Sequence, residues 1–358
     1  MAVRFLRAWH IIVVLLLAAM MVGGCGSAAR GYDAEVWICP PMRGDAEHQL
    51  FSPDADWDQA RAGADVFKFY GKFFIDADSE LLEQVARQLN GAGIAAAIEI
   101  GPLRIDPEFL KQNVDRAAEF GVNIDCVELD NSLGVLLDAG KFGNTGTVRH
   151  MERPATPQEA AEEIVAWLKR AQEMMPKVKR WGLIECVWRY PIGPYPGSIP
   201  EDTFKDNLPP HIQDLRDVLN VFLAEAKKQG VRIDYFHGEH GRLGVRQLAE
   251  GYHVDVWSKL KLLEKYCQSK GLQFGILYAD EAAAWWWPER VTENQDQVTV
   301  QNMYKAVFEH LENGGNPDHI VIQNWGRHPR VLVPENRQYT FTWLVNEVVR
   351  DLNKGAAR

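Results

Sequence analysis

The sequence predicts an α/β fold, a single (β/α)8 TIM barrel. Eight short apolar runs, at residues 34–39, 66–74, 94–101, 124–131, 181–188, 233–239, 273–281 and 319–325, alternate with stretches of helical periodicity. That alternation implies βαβ crossovers and hence a parallel sheet. Eight such units in roughly 320 residues match the size of a closed eight-stranded barrel. The connections are also unequal. Helix-to-strand joints are short (91–93, 121–123), whereas strand-to-helix joints are long (132–155, 189–211, 240–254). Long loops gathered on one face mark the carboxyl ends of the strands as the working end.

The elements follow in order. Arg4 and Arg7 precede an apolar stretch, 11–22, that is short for a membrane span, so residues 1–24 read as a targeting leader. Val22-Gly23-Gly24-Cys25 resembles the lipobox of bacterial lipoproteins, and the resemblance implies cleavage before Cys25 and lipidation of that cysteine. The expected organisation is a leader at 1–24, a lipidated tether at 25–35 and a barrel at 36–358. No Gly/Ser linker, low-complexity tract or repeat interrupts the barrel region. Apolar residues at helical spacing predict helices at 79–89 and 107–120. Thr156-Pro157-Gln158-Glu159 is a capping box that starts a helix ending before Pro176. Further helices are expected at 212–228, 255–269, 298–313 and 338–352. Gly121, Gly230, Gly271 and Gly314 fall just past helix ends, where a left-handed cap is favoured.

Composition excludes one class of partner. The formal charge is −10, and nucleic-acid binding rests on lysines and arginines that neutralise phosphates. A neutral ligand such as a carbohydrate fits better, with the membrane reached only through the lipid anchor. Beyond Cys25 there are four cysteines, Cys39, Cys126, Cys186 and Cys267. Their spacing is neither a zinc motif nor a disulfide framework. No cofactor and no metal are expected.

Side chains alternate along a strand, so ionisable residues within apolar runs are expected to face the barrel axis. This places Lys68 and Tyr70, Glu99, Glu128 and Asp130, Glu185, His237 and Glu239, Tyr278 and Asp280, and Gln323 and Trp325 inward. A slip of one residue in strand seven would exchange Asp280 for Glu281. Each residue also has a structural reading. Lys68 and Glu99 could form a buried ion pair, Glu128 and Glu185 could hold Lys68 in a polar network, and Asp130-Asn131 could belong to a turn. As a set the acids point to chemistry, because carboxylates converging on one pocket raise each other's pKa at a cost. Aromatic residues frame the same end: Phe73-Phe74, Trp188, Trp285-Trp286-Trp287 and Trp325. Their flat faces suit sugar rings, with Trp286 representing the triplet and Asn131, Asn324, Arg327 and His328 available for hydroxyls.

These features resemble the glycoside hydrolase TIM barrels, especially the clan with an acid/base on strand four and a nucleophile on strand seven. The resemblance covers residues 34–352 in architecture. It implies Asp130 or Glu128 as acid/base and Glu281 or Asp280 as nucleophile, with Trp325 as the strand-eight tryptophan. The clan's strand-four Asn-Glu pair is replaced here by Glu128-Leu129-Asp130-Asn131. Barrel hydrolases that pair strands four and six would bring in Glu239. Two other readings remain open. Glu128, Glu185, His237, Glu239 and Asp280 resemble the ligand sets of divalent-metal sugar isomerases, for which oxygen ligands favour Mg, Mn or Ca. The other is a non-catalytic glycan-binding lipoprotein.

Overall fold

The computed structural model describes residues 33–101, 106–137, 154–187, 190, 192, 214–241, 255–280 and 293–355. Eight parallel strands close a barrel in sequence order, β1 Glu35–Cys39, β2 Val66–Tyr70, β3 Ala95–Ile100, β4 Ile124–Asp130, β5 Arg180–Cys186, β6 Tyr235–Gly241, β7 Gln273–Ala279 and β8 His319–Gln323. The last pairs back onto the first, with Trp37 opposite Val321. The expected TIM barrel is therefore the fold observed.

The helices are α1 Ala46–Phe51, α2 Asp58–Gly63, α3 Phe73–Asp76, α4 Ser79–Ala92, α5 Pro107–Glu119, α6 Ser132–Leu137, α7 Pro157–Met174, α8 Leu215–Gln229, α9 Val256–Ser269, α10 Gln295–Glu312 and α11 Phe341–Gly355. Caps set their starts. Asp78, Asp106, Asp214 and Asp255 each accept a backbone N–H of the first turn, and Thr156 and Glu159 complete the capping box. Gly230 ends α8 at φ 71°, a left-handed conformation open to glycine at little cost. By compactness the chain divides into residues 34–349, which hold the barrel, and residues 1–33 with 350–358. Of the second unit, Asp33 and 350–355 are described. There Asp351 pairs with Arg350 at 3.1 Å and Lys354 at 2.7 Å.

One device recurs at the amino ends of the strands. Asp65, Asp234 and Asp318, each just before a strand, accept the backbone N–H of Val36, Trp181 and Phe274 on the preceding strand at 2.8 Å. The backbone N–H of each aspartate returns a bond to that same residue's carbonyl, at 2.7–2.8 Å. These reciprocal bonds fix register where the strands enter the barrel, so that the alternation of faces is preserved up to the mouth.

Three expectations are corrected. Strand two stops at Tyr70, because Phe73 and Phe74 turn into α3 and pack on Phe69 in the outer layer, with ring centroids 4.7 and 4.8 Å away. Residues 132–137, expected as loop, form α6 immediately after β4. Two short helices, α1 and α2, occupy the β1–β2 connection, where no helix was expected.

The barrel interior is filled by Trp37, Val66, Ala97, Cys126, Ile184, Tyr235, Leu277 and Val321, one from each strand. Trp37 lies at its centre, 5.2 Å from the Tyr235 ring and under the Arg180 guanidinium at 5.1 Å. Gly182 makes room for this layer, since a Cβ there would overlap the Tyr235 ring.

Candidate active site

Above the aromatic layer the interior becomes polar. The register brings Tyr70 beside Glu99, Glu99 beside Glu128 and Cys186 beside Glu239. Lys68 is fully buried, and its ammonium meets three acceptors: Glu99 Oε2 at 2.9 Å, Gln323 Oε1 at 2.5 Å and Glu128 Oε1 in direct contact. Gln323 Nε2 donates to Glu99 Oε2 at 2.6 Å, and the Trp325 indole N–H donates to Glu99 Oε1 at 3.2 Å. Burial alone would lower the Lys68 pKa, but Glu128 and Glu99 outweigh it and hold the ammonium above its ordinary value. Glu128 is raised by burial against the pull of Lys68. The structural reading of Lys68, Glu99 and Glu128 as a buried ionic network thus describes their contacts.

Asp130 ends β4 above this network and is partly exposed. Burial, then the charges of Glu99, Glu239 and Glu185, push its carboxyl well above the usual range, with Lys68 in opposition. Among the described residues its Oδ1 has no hydrogen-bond partner. Glu239, also partly exposed, takes a close contact from the Cys186 thiol. Asn131 follows at φ 50°, a conformation uncommon for a side chain larger than glycine. Its backbone N–H bonds to Ile184 at 2.7 Å, which clamps the end of β4 to β5. The backbone therefore turns sharply just past Asp130, and the acid stays at the mouth.

Register corrects the inward placement of Glu185, Tyr278 and Asp280. On β5 the axial residue is Ile184, so Glu185 points to the helix layer, where it accepts the Leu133 and Gly134 N–H groups of α6 and the Tyr190 hydroxyl. On β7 the axial residue is Leu277. Tyr278 bonds His310 of α10 at 2.7 Å, and buried Asp280 accepts from Thr299 of α10 at 2.9 Å. Asn324 is buried as well and organises the turn after β8, donating to the His328 carbonyl at 2.6 Å. His328 faces Asp296 at 2.5 Å. Cys25, Trp188, Glu281 and Trp286 lie outside the described residues.

The five-residue metal set is therefore divided, with Glu128, His237 and Glu239 axial and Glu185 and Asp280 among the helices. Among the described residues no three His, Cys, Asp or Glu side chains form a metal-holding group. Sequence reasoning missed Glu47, a nearly buried acid on α1 whose pKa is raised by burial to about 7 and whose charge is felt by Cys39 and Tyr70. It lies in a helix that the apolar runs did not reveal. His319 and Arg180 were also missed, because both open or precede apolar runs and read as strand edges.

No family model and no curated protein matches the sequence. Among solved structures the chain is similar to a GH128 (subgroup II) endo-β-1,3-glucanase from Pseudomonas viridiflava. The identity is 15% over 87% of this chain and 96% of that one, with a TM-score of 0.42. It is similar to a sugar phosphate isomerase/epimerase from Parabacteroides distasonis at 14% identity over 92% and 98%, TM-score 0.43. An HpcH/HpaI aldolase from Desulfitobacterium hafniense follows at 12% over 82% and 87%, TM-score 0.37. Likeness at this level assigns no chemistry to the mouth.

The network makes a stability prediction. Lys68→Met strands two buried carboxylates and is expected to cost about 3–5 kcal/mol. Adding Glu128→Gln should recover part of that loss. Urea unfolding of the two single variants and the double variant measures the coupling, and additive losses would contradict it.

Proposed function

We propose that the chain is an enzyme that hydrolyses glycosidic bonds in a neutral oligo- or polysaccharide. Asp130 is the general acid and Glu239 the ionised carboxylate opposite it. The observation that carries this reading is the separation of two kinds of acid at one mouth. Glu99 and Glu128 are bound to Lys68, whereas Asp130 is left with an unsatisfied oxygen and like charges around it. Glycoside hydrolysis requires such a pair, one carboxyl that keeps its proton at working pH and one that does not. Asp130 has the environment of the first. Glu239 is partly exposed at the same end of the barrel, and the Cys186 thiol contacts its carboxylate.

The raised pKa of Asp130 fixes the sign of the pH dependence: hydrolysis falls as pH rises through that pKa, when the acid loses its proton, and this loss comes at higher pH than for an ordinary aspartate. Trp325, whose indole N–H donates to Glu99, supplies the aromatic face for a sugar ring, and Tyr70 pairs with Glu99 in the β2–β3 register.

Asp130→Asn and Glu239→Gln are each expected to reduce turnover by about 10²–10⁴-fold on a panel of aryl glycosides and neutral polysaccharides, with unfolding midpoints preserved. Asp280→Asn should leave turnover within a few-fold of the parent. Full activity in Asp130→Asn would end this assignment, and loss in Glu281→Gln with an active Glu239→Gln would move the partner to strand seven.

We further propose that the enzyme is exported and lipid-anchored to the cell envelope, on the strength of the Arg4/Arg7 leader and the lipobox-like run ending at Cys25. Cys25→Ser should shift the protein from the membrane to the soluble fraction and abolish labelling by a radioactive fatty acid. Unchanged membrane association would contradict the anchor.

A further inference from the structure

Below the mouth, the barrel axis holds a run of buried polar groups that the proposed hydrolysis does not use. His237 of β6 and His319 of β8 are both fully buried, and His237 Nε2 lies 2.8 Å from His319 Nδ1. The outer nitrogen of each ring faces a carboxylate. His237 Nδ1 is 2.9 Å from Glu128 Oε2, and His319 Nε2 is 3.6 Å from Glu35 Oε2. Glu35 stands at the amino-end rim, about one-third exposed, where it also accepts from Trp37 Nε1 at 2.9 Å and Arg180 Nη1 at 2.7 Å.

The remaining groups around the two rings come from every neighbouring strand: Lys68 on β2, Cys126 on β4, Arg180 on β5 and Tyr235 on β6. β7 contributes Gly275, where a Cβ would stand 2.6 Å from His237 Cδ2 and 2.8 Å from His319 Cβ. The missing side chain is what allows two imidazoles to lie side by side in the axis.

Counting protons exposes a shortage. Burial, then the charges of Lys68 and Arg180, hold His237 well below its ordinary pKa; burial, His237 and Arg180 do the same for His319. Two neutral rings carry two N–H protons. One occupies the bond between the rings, so a single proton remains for two outer nitrogens that each face a carboxylate. In keeping with this, His237 Nδ1 and His319 Nε2 have no hydrogen-bond partner among the described residues.

We propose that His237 and His319 form a two-imidazole relay that carries one proton along the barrel axis between Glu35 at the amino-end rim and Glu128 beneath the mouth. In the inward step Glu35, protonated from solvent, gives its proton to His319 Nε2. His319 passes its Nδ1 proton to His237 Nε2, and His237 passes its Nδ1 proton to Glu128 Oε2. Glu35 ends ionised, Glu128 neutral, and each ring remains neutral with its proton moved from Nδ1 to Nε2. Only N–H and O–H bonds are exchanged, and the return step reverses them. A neutral Glu128 releases one counter-charge from Lys68, so the field of Lys68 on Asp130 strengthens. The opposite face of the barrel thereby adjusts the acidity of the mouth. The relay goes beyond the hydrolytic reading and stands without it.

The test is ring-nitrogen NMR on the full chain labelled with ¹⁵N-histidine, followed from pH 8 to pH 4. Both rings are expected to stay neutral and to switch together from the Nδ1–H to the Nε2–H form as the pH falls and Glu128 takes up the relayed proton. In Glu35→Gln, with near-ultraviolet circular dichroism unchanged, the switch should be absent. Independent titration of either ring to imidazolium in the parent protein overturns the relay. So does a concerted switch that survives in Glu35→Gln.

Discussion

The ion cluster around Lys68 is the constraint on which the rest of the barrel mouth depends. A buried ammonium among apolar strands is costly, and it is tolerated here because Glu99, Glu128 and Gln323 surround it. That arrangement occupies one edge of the interior across β2, β3, β4 and β8. It also engages the cation and two of the acids in one another. Asp130, one alternation above Glu128, then faces Glu99 and Glu239, and among the described residues no cation forms an ion pair with it. The functional asymmetry among the acids arises from this unequal distribution of one positive charge.

The fold was legible in the sequence for a physical reason. A strand buried on both faces leaves a largely apolar run, and all eight runs are of that kind. The reciprocal aspartate bonds fix the register of β1 with β2, β5 with β6 and β7 with β8, and Lys68, Glu99, Glu128, Asp130, His237, Glu239 and Gln323 face the axis as expected. Alternation fails as a guide where its starting phase is unknown. On β5 and β7 the axial positions are Ile184 and Leu277, so the conspicuous Glu185, Tyr278 and Asp280 face the helices. Nothing in Leu183-Ile184-Glu185 or Leu277-Tyr278-Ala279-Asp280 reveals this phase, because Ile and Leu suit either face. It is settled by partners distant in sequence, such as Thr299 for Asp280 and the N-terminus of α6 for Glu185.

Acids in the helix layer have another use. Glu185 receives the free N–H groups at the start of α6, where a negative charge is favoured. Asp280 ties the end of β7 to α10 through Thr299. Both hold the frame around the mouth, and their distance from the axis leaves Asp130 and Glu239 as the candidates for chemistry among the described residues. The interior beneath them is itself layered, with an ionic tier around Lys68, a pair of neutral imidazoles and an aromatic tier on Trp37 and Arg180.

The central claim is that Asp130 keeps its proton because burial and the charges of Glu99, Glu239 and Glu185 outweigh the pull of Lys68, which is engaged by other acids. Carboxyl ¹³C NMR of the aspartate-labelled full chain tests this most directly, with the Asp130 signal identified by its loss in Asp130→Asn. The account predicts that Asp130 remains protonated at a pH where exposed aspartates have ionised. An Asp130 signal that titrates with those aspartates would contradict it.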